Sequence, residues 1–507
     1  MTQFYLYKVE SNKVRVIKIR RQQQRATYSN LISSVFFYHT RGTLKLEFGT
    51  VMFSLAKVGR VSVNHTMVLC SLRHFGISSY DQYLSERSAL RKPSAIRALQ
   101  PMLAIPGMIS LGGGMPNKST FPFKRIVAEL ADGTMVDVAT PDTIDEAFQY
   151  SPTQGIPRLV AHLEDIQTRE HDFKNDGNFR LCVTTGSQDG LGKAFDMLLD
   201  KGDSLIIESP TYSGSLAYLE PLSCNLVGIE TDHFGMVPEK LYNTLENWDS
   251  LHPGKRRPKV LYTIPTGGNP TGVTMPAERK QKVYDLAKKY EMLILEDDPY
   301  YFLQFDDAES LNEGEKRPRS FYSIDNGEGR VLRFDSFSKL LSSGIRIGFV
   351  TGPTELVERL ELHSQSTTLH TSGISQALVA SYFDHLQGSG DSAYNNFSSH
   401  IDNLCSFYQK RRDSFLQSAE THLEGLCEFN KPAAGMFVWI KIHDCENSAL
   451  LVQNNAVDAK VLLVPGESFF AASAGPSPYV RAAYSTASEE DMDEALRRFA
   501  LLLVQAR

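Results

Sequence analysis

Between about residue 180 and residue 350 the chain repeats one pattern: a short apolar run, a loop bearing glycine or proline, then a stretch with helical apolar spacing. The runs are Leu181-Cys-Val-Thr-Thr185, Ser204-Leu-Ile-Ile207, Val260-Leu-Tyr-Thr-Ile264, Leu293-Ile-Leu295, Val331-Leu-Arg-Phe334 and Gly348-Phe-Val350. Too short for helices and closed by loops or turns, they read as buried strands. Strand and helix in alternation predict a mostly parallel sheet covered on both faces, with ligands gathered beyond the carboxyl ends of its strands. From about residue 385 the pattern changes. Long helical stretches around 390–420 and 488–505 accompany strand-like runs near 427–443 and 479–484, which predicts a separate α+β lobe.

A chain of 507 residues is too long for one ordinary core, and 42% hydrophobic with 22% charged residues is the balance of a globular protein. No apolar run reaches the roughly 18 residues of a membrane span. The six cysteines, Cys70, Cys182, Cys224, Cys405, Cys427 and Cys445, are scattered without metal-ligand spacing and read as reduced thiols of an intracellular protein.

Charge divides the chain unevenly. Residues 1–75 hold twelve Lys/Arg against Glu10 and Glu47, a balance of +10 within a net charge of -6, so the remainder stands at -16. An acidic body behind a basic front end argues against nucleic-acid work and for an appended segment. That segment alternates β-prone runs with basic clusters, as in Lys13-Val-Arg-Val-Ile-Lys-Ile-Arg-Arg21. It reads as an extension ahead of a start at Met67, or as a mitochondrial presequence; a DNA-binding module would need a helix-turn-helix pattern that is not present in the sequence. The expected division is an extension over 1–75, an arm and part of a small domain over 76–154, a large domain over 155–385 and the rest of the small domain over 386–507.

Chemistry-bearing residues follow the strand-like runs. After Val331–Phe334 comes Asp335-Ser-Phe-Ser-Lys-Leu-Leu-Ser-Ser-Gly-Ile-Arg346. An amine at Lys339 beside hydroxyls at Ser336 and Ser338 and a guanidinium at Arg346 suits a phosphorylated aldehyde; alone, it is a lysine in a serine-rich loop. Glu296-Asp-Asp-Pro-Tyr300 places the carboxylate of Asp297 and the phenol of Tyr300 at the end of another strand, either for a pyridine ring or as a metal site or solvated turn. Asn269 in Pro265-Thr-Gly-Gly-Asn-Pro-Thr-Gly272 offers an amide from a third strand end. Ser187 and Gln188, in Thr184-Thr-Gly-Ser-Gln-Asp-Gly190, begin a helix whose free N–H groups favour a phosphate, with a plain N-cap serine as the alternative.

Taken in order, Ser187-Gln188, Asn269-Pro-Thr-Gly272, Asp297-Asp-Pro-Tyr300, Ser336-Phe-Ser-Lys339 and Arg346 resemble fold-type I aminotransferases dependent on pyridoxal 5'-phosphate. Tyr150-Ser-Pro, Glu296–Phe305, Pro432-Ala-Ala-Gly-Met-Phe-Val-Trp439 and Ser477-Pro-Tyr-Val-Arg481 are similar to the kynurenine/2-aminoadipate and fungal aromatic aminotransferase subfamily. The resemblance covers about residues 80–507. It implies a large domain with a mostly parallel seven-stranded sheet, a smaller α+β domain, and a homodimer with shared active sites, no membrane and no nucleic acid.

It further implies that Lys339 links the cofactor and moves the substrate proton, that Asp297 faces the pyridine nitrogen, and that Tyr300 and Asn269 contact the ring oxygen. Tyr212 would stack on the ring. Ser187, Gln188, Ser336, Ser338 and Arg346 would hold the phosphate, with Tyr150 reaching across from a partner. Arg481 would clamp the substrate α-carboxylate, with Asn269, Arg97 and Gly114 at the substrate, and no metal is expected. The implied reaction carries an amino group from an aromatic amino acid, kynurenine or 2-aminoadipate to 2-oxoglutarate. A lyase or synthase on the same fold, or a cofactor-sensing regulator, are the alternatives; the expected compartment is the cytoplasm, or the mitochondrial matrix if the basic segment is a presequence.

Overall fold

The computed structural model describes residues 76–506 apart from 97, 98, 100, 101, 103, 104, 113, 175, 307–316, 389–391, 453–457, 473 and 474, together with four strands before residue 48. Arg97 and Met67, both singled out above, lie outside the described residues. The chain divides into two compact units, Met1–Leu72 and Arg73–Arg507. In the first, Phe4–Glu10 pairs antiparallel with Lys13–Ile19, and Phe36–Thr40 with Thr43–Glu47.

The second unit is built on an eight-stranded sheet. Its strands are β1 (Phe179–Thr184), β2 (Ser204–Ser209), β3 (Asn225–Asp232), β4 (Gly235–Met236), β5 (Val260–Thr263), β6 (Leu293–Asp297), β7 (Val331–Ser336) and β8 (Gly348–Pro353). They lie in the order β4-β3-β2-β5-β6-β7-β8-β1. All but β4 and β8 run in one direction, as the apolar runs require. The sheet holds one strand more than the seven expected. The extra one is β4, two residues that fold back on the tail of β3 through Asp232-His-Phe-Gly235, too short to register as a run.

Helices α1 (Pro157–His171), α2 (Ser187–Leu198), α3 (Ser213–Leu219), α4 (Ala277–Lys289) and α5 (Thr354–Thr367) cover the sheet. Leu191, Phe195, Leu198, Leu356 and Leu360 pack with Tyr262 and Phe334 in one core, while Trp248, Val283, Tyr284 and Phe321 pack with Leu261 and Ile294 in another. Successive strand residues face opposite ways, so Tyr262 and Leu261 serve different cores.

Toward the carboxyl terminus a four-stranded antiparallel sheet, β9 (Cys427–Phe429), β10 (Phe437–Ile442), β11 (Val464–Pro465) and β12 (Tyr479–Ala483), runs in the order β9-β10-β12-β11. Ala393–Leu423 and Glu489–Ala506 pack beside it through Phe415, Leu423, Leu496 and Phe499. Two glycines fix how this sheet meets the large one. Gly267 (φ +53°) and Gly435 (φ +80°) pass backbone to backbone, and a Cβ on Gly267 would stand 3.0 Å from the main chain of Ala434 and Gly435. Among the described residues, no helix is long and apolar enough to cross a membrane.

Candidate active site

Each chemistry-bearing string lies at a carboxyl end of a parallel strand, except that Arg346 precedes β8 and Arg481 comes from β12. β6 ends in Asp297, buried, with Oδ2 accepting the Tyr262 hydroxyl at 2.9 Å and Oδ1 without a protein partner. Burial pushes this carboxyl up to about 7, against the hydrogen bond from Tyr262, which favours its charged form.

Asp298 takes other partners. Its main-chain N–H donates to Phe334 O at 3.0 Å, and its Oδ2 accepts from Arg333 at 2.9 Å. Arg333 is fully buried and also holds both oxygens of Asp335, at 2.8 and 3.0 Å, and stacks over Tyr301. Asp297 and Asp298 therefore do not converge, and no group of three or more potential metal ligands occurs among the described residues.

Lys339 ends a single 3₁₀ turn, Phe337–Lys339, that leaves β7; Ser336 caps it, its Oγ accepting from Ser338 N at 3.2 Å. Burial holds the Lys339 ammonium below its ordinary range, helped by Arg346 and Arg481. An amine so placed is more readily free as nucleophile and base.

A cradle for an anion forms where α2 meets the start of β8. Gly186 (φ +80°) turns the chain into the helix, and Arg346 donates to Ser338 Oγ at 3.0 Å and to Thr185 O at 3.2 Å. A Cβ on Gly186 would sit 2.3 Å from Arg346 Nη2, and one on Gly348 2.7 Å from Ser187 N, so only glycine allows this approach. The Gln188 side chain is engaged with Gly214 O at 3.3 Å, which leaves its backbone N–H to the cradle. Asp189 would oppose an anion in this first turn, but it is paired with Lys193.

On the opposite side stands Arg481. Its guanidinium lies over Phe437 and Phe469, 4.4 and 5.0 Å from the ring centroids, and donates to Asn269 Oδ1 at 2.9 Å. Its Nε is buried without a partner, and it is in no ion pair among the described residues. With the Asn269 oxygen occupied, the amide NH₂ of that side chain is left to donate elsewhere. Tyr300 is almost fully buried, and its phenol lies within the electrostatic influence of Asp297, Tyr212 and Arg481. Tyr212 precedes α3 and its ring covers Gly214.

Gly114 and Tyr150 are not drawn into this site within one chain. Gly114 is exposed, and Tyr150 is half exposed with its ring edge-on to His370. Three residues that the sequence did not single out belong to the site's frame: Tyr262, Ser215 and Glu208. Glu208, buried at the end of β2, accepts from Thr263 Oγ1 at 3.0 Å and Ile264 N at 2.9 Å and is pushed up to about 7 by burial. Each lies within a strand or helix whose apolar neighbours account for its burial, so only the three-dimensional pairing marks it.

Comparison with known proteins identifies the family. Residues 107–499 fit the family model described as aminotransferase class I and II. The bovine (Bos taurus) kynurenine/alpha-aminoadipate aminotransferase, named as mitochondrial, is 40% identical over 439 residues, spanning 84% of this chain and 100% of that protein. The solved aromatic aminotransferase Aro9 of C. albicans superposes with a TM-score of 0.74 at 29% identity, covering 84% of this chain and 98% of the other. A kynurenine aminotransferase of Pyrococcus horikoshii, solved with PMP, gives 0.66 at 28% identity over 85% and 98% of the two chains. The chain belongs to the class I and II aminotransferases.

Proposed function

We propose that this aminotransferase works with pyridoxal 5'-phosphate and moves the amino group of an aromatic amino acid, kynurenine or 2-aminoadipate to 2-oxoglutarate, releasing a 2-oxo acid and glutamate. The observation that carries the reading is Arg481, a partly buried cation with no carboxylate partner among the described residues, held between two aromatic rings. A permanently charged guanidinium so placed is matched by a planar carboxylate presented with two oxygens. The aromatic walls suit a flat donor side chain, and the relatives named for kynurenine, aminoadipate and aromatic substrates support the same range.

The cofactor, when bound, supplies an aldehyde for the substrate amine and a ring that accepts the electrons of the broken Cα–H bond. This chain does the rest. Lys339 Nζ would serve as the base that takes the α-proton and then, protonated, as the acid that gives it back, one group in both roles. Asp297 Oδ1, without a protein partner, would face a ring nitrogen, whose cation would draw the carboxyl back down from about 7. Tyr300 and the Asn269 amide would meet the ring oxygen, Tyr212 would lie on the ring face, and Ser187, Gln188, Ser336, Ser338 and Arg346 would receive the phosphate.

The cradle can be tested at Gly186. In Gly186→Ala a methyl displaces the Arg346 guanidinium, so affinity for pyridoxal 5'-phosphate in equilibrium dialysis should fall by about tenfold or more, the worth of one charge-assisted hydrogen bond. An unchanged affinity would place the phosphate elsewhere.

The reading also includes a homodimer that brings the partner subunit's Tyr150 to the cradle. Ile105, Met108, Ile109, Leu111 and Met115 stand exposed along one N-terminal segment, with Leu111 97% exposed, and such a run is suited to cover by a second copy. Gly114 lies in the same segment, and Arg97 would act beside it at the substrate. The experiment that tests the substrate reading is a panel of donors against 2-oxoglutarate, scored by glutamate formed. Phenylalanine, tyrosine, kynurenine or 2-aminoadipate should exceed leucine and methionine in kcat/KM by about tenfold or more, the discrimination available to one shaped pocket. Preference for the aliphatic donors, or no glutamate at all, would overturn it.

A further inference from the structure

Tyr262 stands in the middle of β5, fully buried, with its ring edge-on to Phe195 at 5.6 Å between centroids. Packing alone would be served by phenylalanine. Its hydroxyl instead lies 2.9 Å from Asp297 Oδ2 and 2.9 Å from Ser215 Oγ, and all three residues are buried. The chemistry of the groups fixes the direction: a carboxylate can only accept, so the phenol gives its one proton to Asp297, and Ser215 donates into the phenol's lone pair. Ser215 sits in the first turn of α3, two residues after the helix begins and three after Tyr212. One oxygen of Asp297 is thereby spent on the protein, and Oδ1 is the one left free.

We propose that Tyr262, backed by Ser215, is a positioning residue of the transamination reaction: it fixes the Asp297 carboxylate so that Oδ1 alone faces the ring nitrogen of the cofactor. The inference rests on the reading of Asp297 given above. A carboxylate on a single χ2 torsion could otherwise turn and divide its charge between the ring and the surrounding protein. With Oδ2 tied to a phenol that is itself tied to α3, the side chain has one orientation before any ligand arrives, which is the condition for electrostatic stabilisation without reorganisation. The route also joins the two supports of the ring, because the helix that holds Ser215 follows directly on Tyr212.

The charged and titratable groups bearing on Asp297 come from every neighbouring element: Glu208 on β2, Tyr262 on β5, Asp298 and Tyr300 after β6, Arg333 and Asp335 on β7, and Tyr212 before α3. Of these, Tyr262 is the one in hydrogen-bond contact with the carboxylate. Its loss removes a donor to the charged form, so protonation of Asp297 should begin at a higher pH.

The test compares Tyr262→Phe and Ser215→Ala with the wild-type holoenzyme by equilibrium dialysis of pyridoxal 5'-phosphate, by spectrophotometric pH titration of the bound cofactor, and by steady-state kinetics. In Tyr262→Phe the cofactor Kd should rise and kcat fall by about tenfold or more each, with donor KM within about twofold and the acid limb of the kcat profile moved up by about one pH unit. Ser215→Ala should move the same quantities in the same direction by less, and it leaves the ring packing untouched should Tyr262→Phe fold poorly. Unchanged Kd, absorbance titration and acid limb in both variants would overturn the inference. So would a drop in melting temperature alone, with kcat per bound cofactor intact, since that would make Tyr262 a packing residue. A wild-type protein that binds no pyridoxal 5'-phosphate would overturn the cofactor reading itself and this inference with it.

Discussion

Lys339→Ala is expected to lower transamination by about 10⁴-fold or more, because on the proposed reading it removes both the amine that engages the cofactor and the base that moves the α-proton. The side chain leaves β7 on one short turn, capped by Ser336, and its ammonium is held below the usual lysine range by burial and by Arg346 and Arg481. On the proposed reading those two guanidiniums would each meet an anionic group of the ligand, so the same cations that free the amine would also position what it attacks. Removing a partly buried cation that faces two others should not unfold the protein. The variant should keep its melting temperature within a few degrees and lose the absorbance of lysine-linked cofactor. Turnover above about one hundredth of wild type would remove Lys339 from the chemistry.

The second large effect separates two adjacent carboxylates. Asp297→Asn should cut kcat by about 10²–10³-fold, the cost of losing one preorganised charge opposite the reacting system, with little change in stability. Asp298→Asn should do the opposite. It weakens one of three carboxylate partners of Arg333 in a buried cluster, a change worth about 1–3 kcal/mol of stability, while the activity per folded molecule stays within a few-fold of wild type. Denaturant melts and kcat measured on the same preparations decide it. If Asp298→Asn gave the larger kinetic loss, the site would have been assigned to the wrong member of the pair.

The parallel sheet was legible because β1, β2, β5, β6, β7 and β8 are buried on both faces and therefore read as continuous apolar runs. β3 carries Gly228, Glu230 and Asp232 among its apolar residues, since it lies next to the edge of the sheet, and no run announced it. The same logic divides the site. Lys339, Asn269 and Arg346 stand in loops, where a polar residue is conspicuous against its neighbours. Tyr262 and Arg333 sit inside strands, where a tyrosine passes for core, and a buried arginine is meaningful only beside Glu296, Asp298 and Asp335, which come from another strand or from two residues on. Which of Asp297 and Asp298 faces which core depends on strand phase, fixed here by the pairing of Asp297 with Phe334 on β7.

The order in which a ribosome delivers these pieces has a consequence of its own. Thr185 and Arg346, hydrogen-bonded across the anion cradle, are 161 residues apart in the chain, and among the described strands β1 pairs only with β8. At about 5–20 residues per second the first half of the cradle leaves the ribosome roughly 8–30 s before the second. Throughout that interval β1 has no partner strand among the described ones, and the helix end at Ser187 has no guanidinium to complete it. The cradle therefore stays incomplete until β8 has been made, and a nascent or truncated product ending before β8 carries an unpaired apolar strand, the feature by which quality control and aggregation alike select their clients.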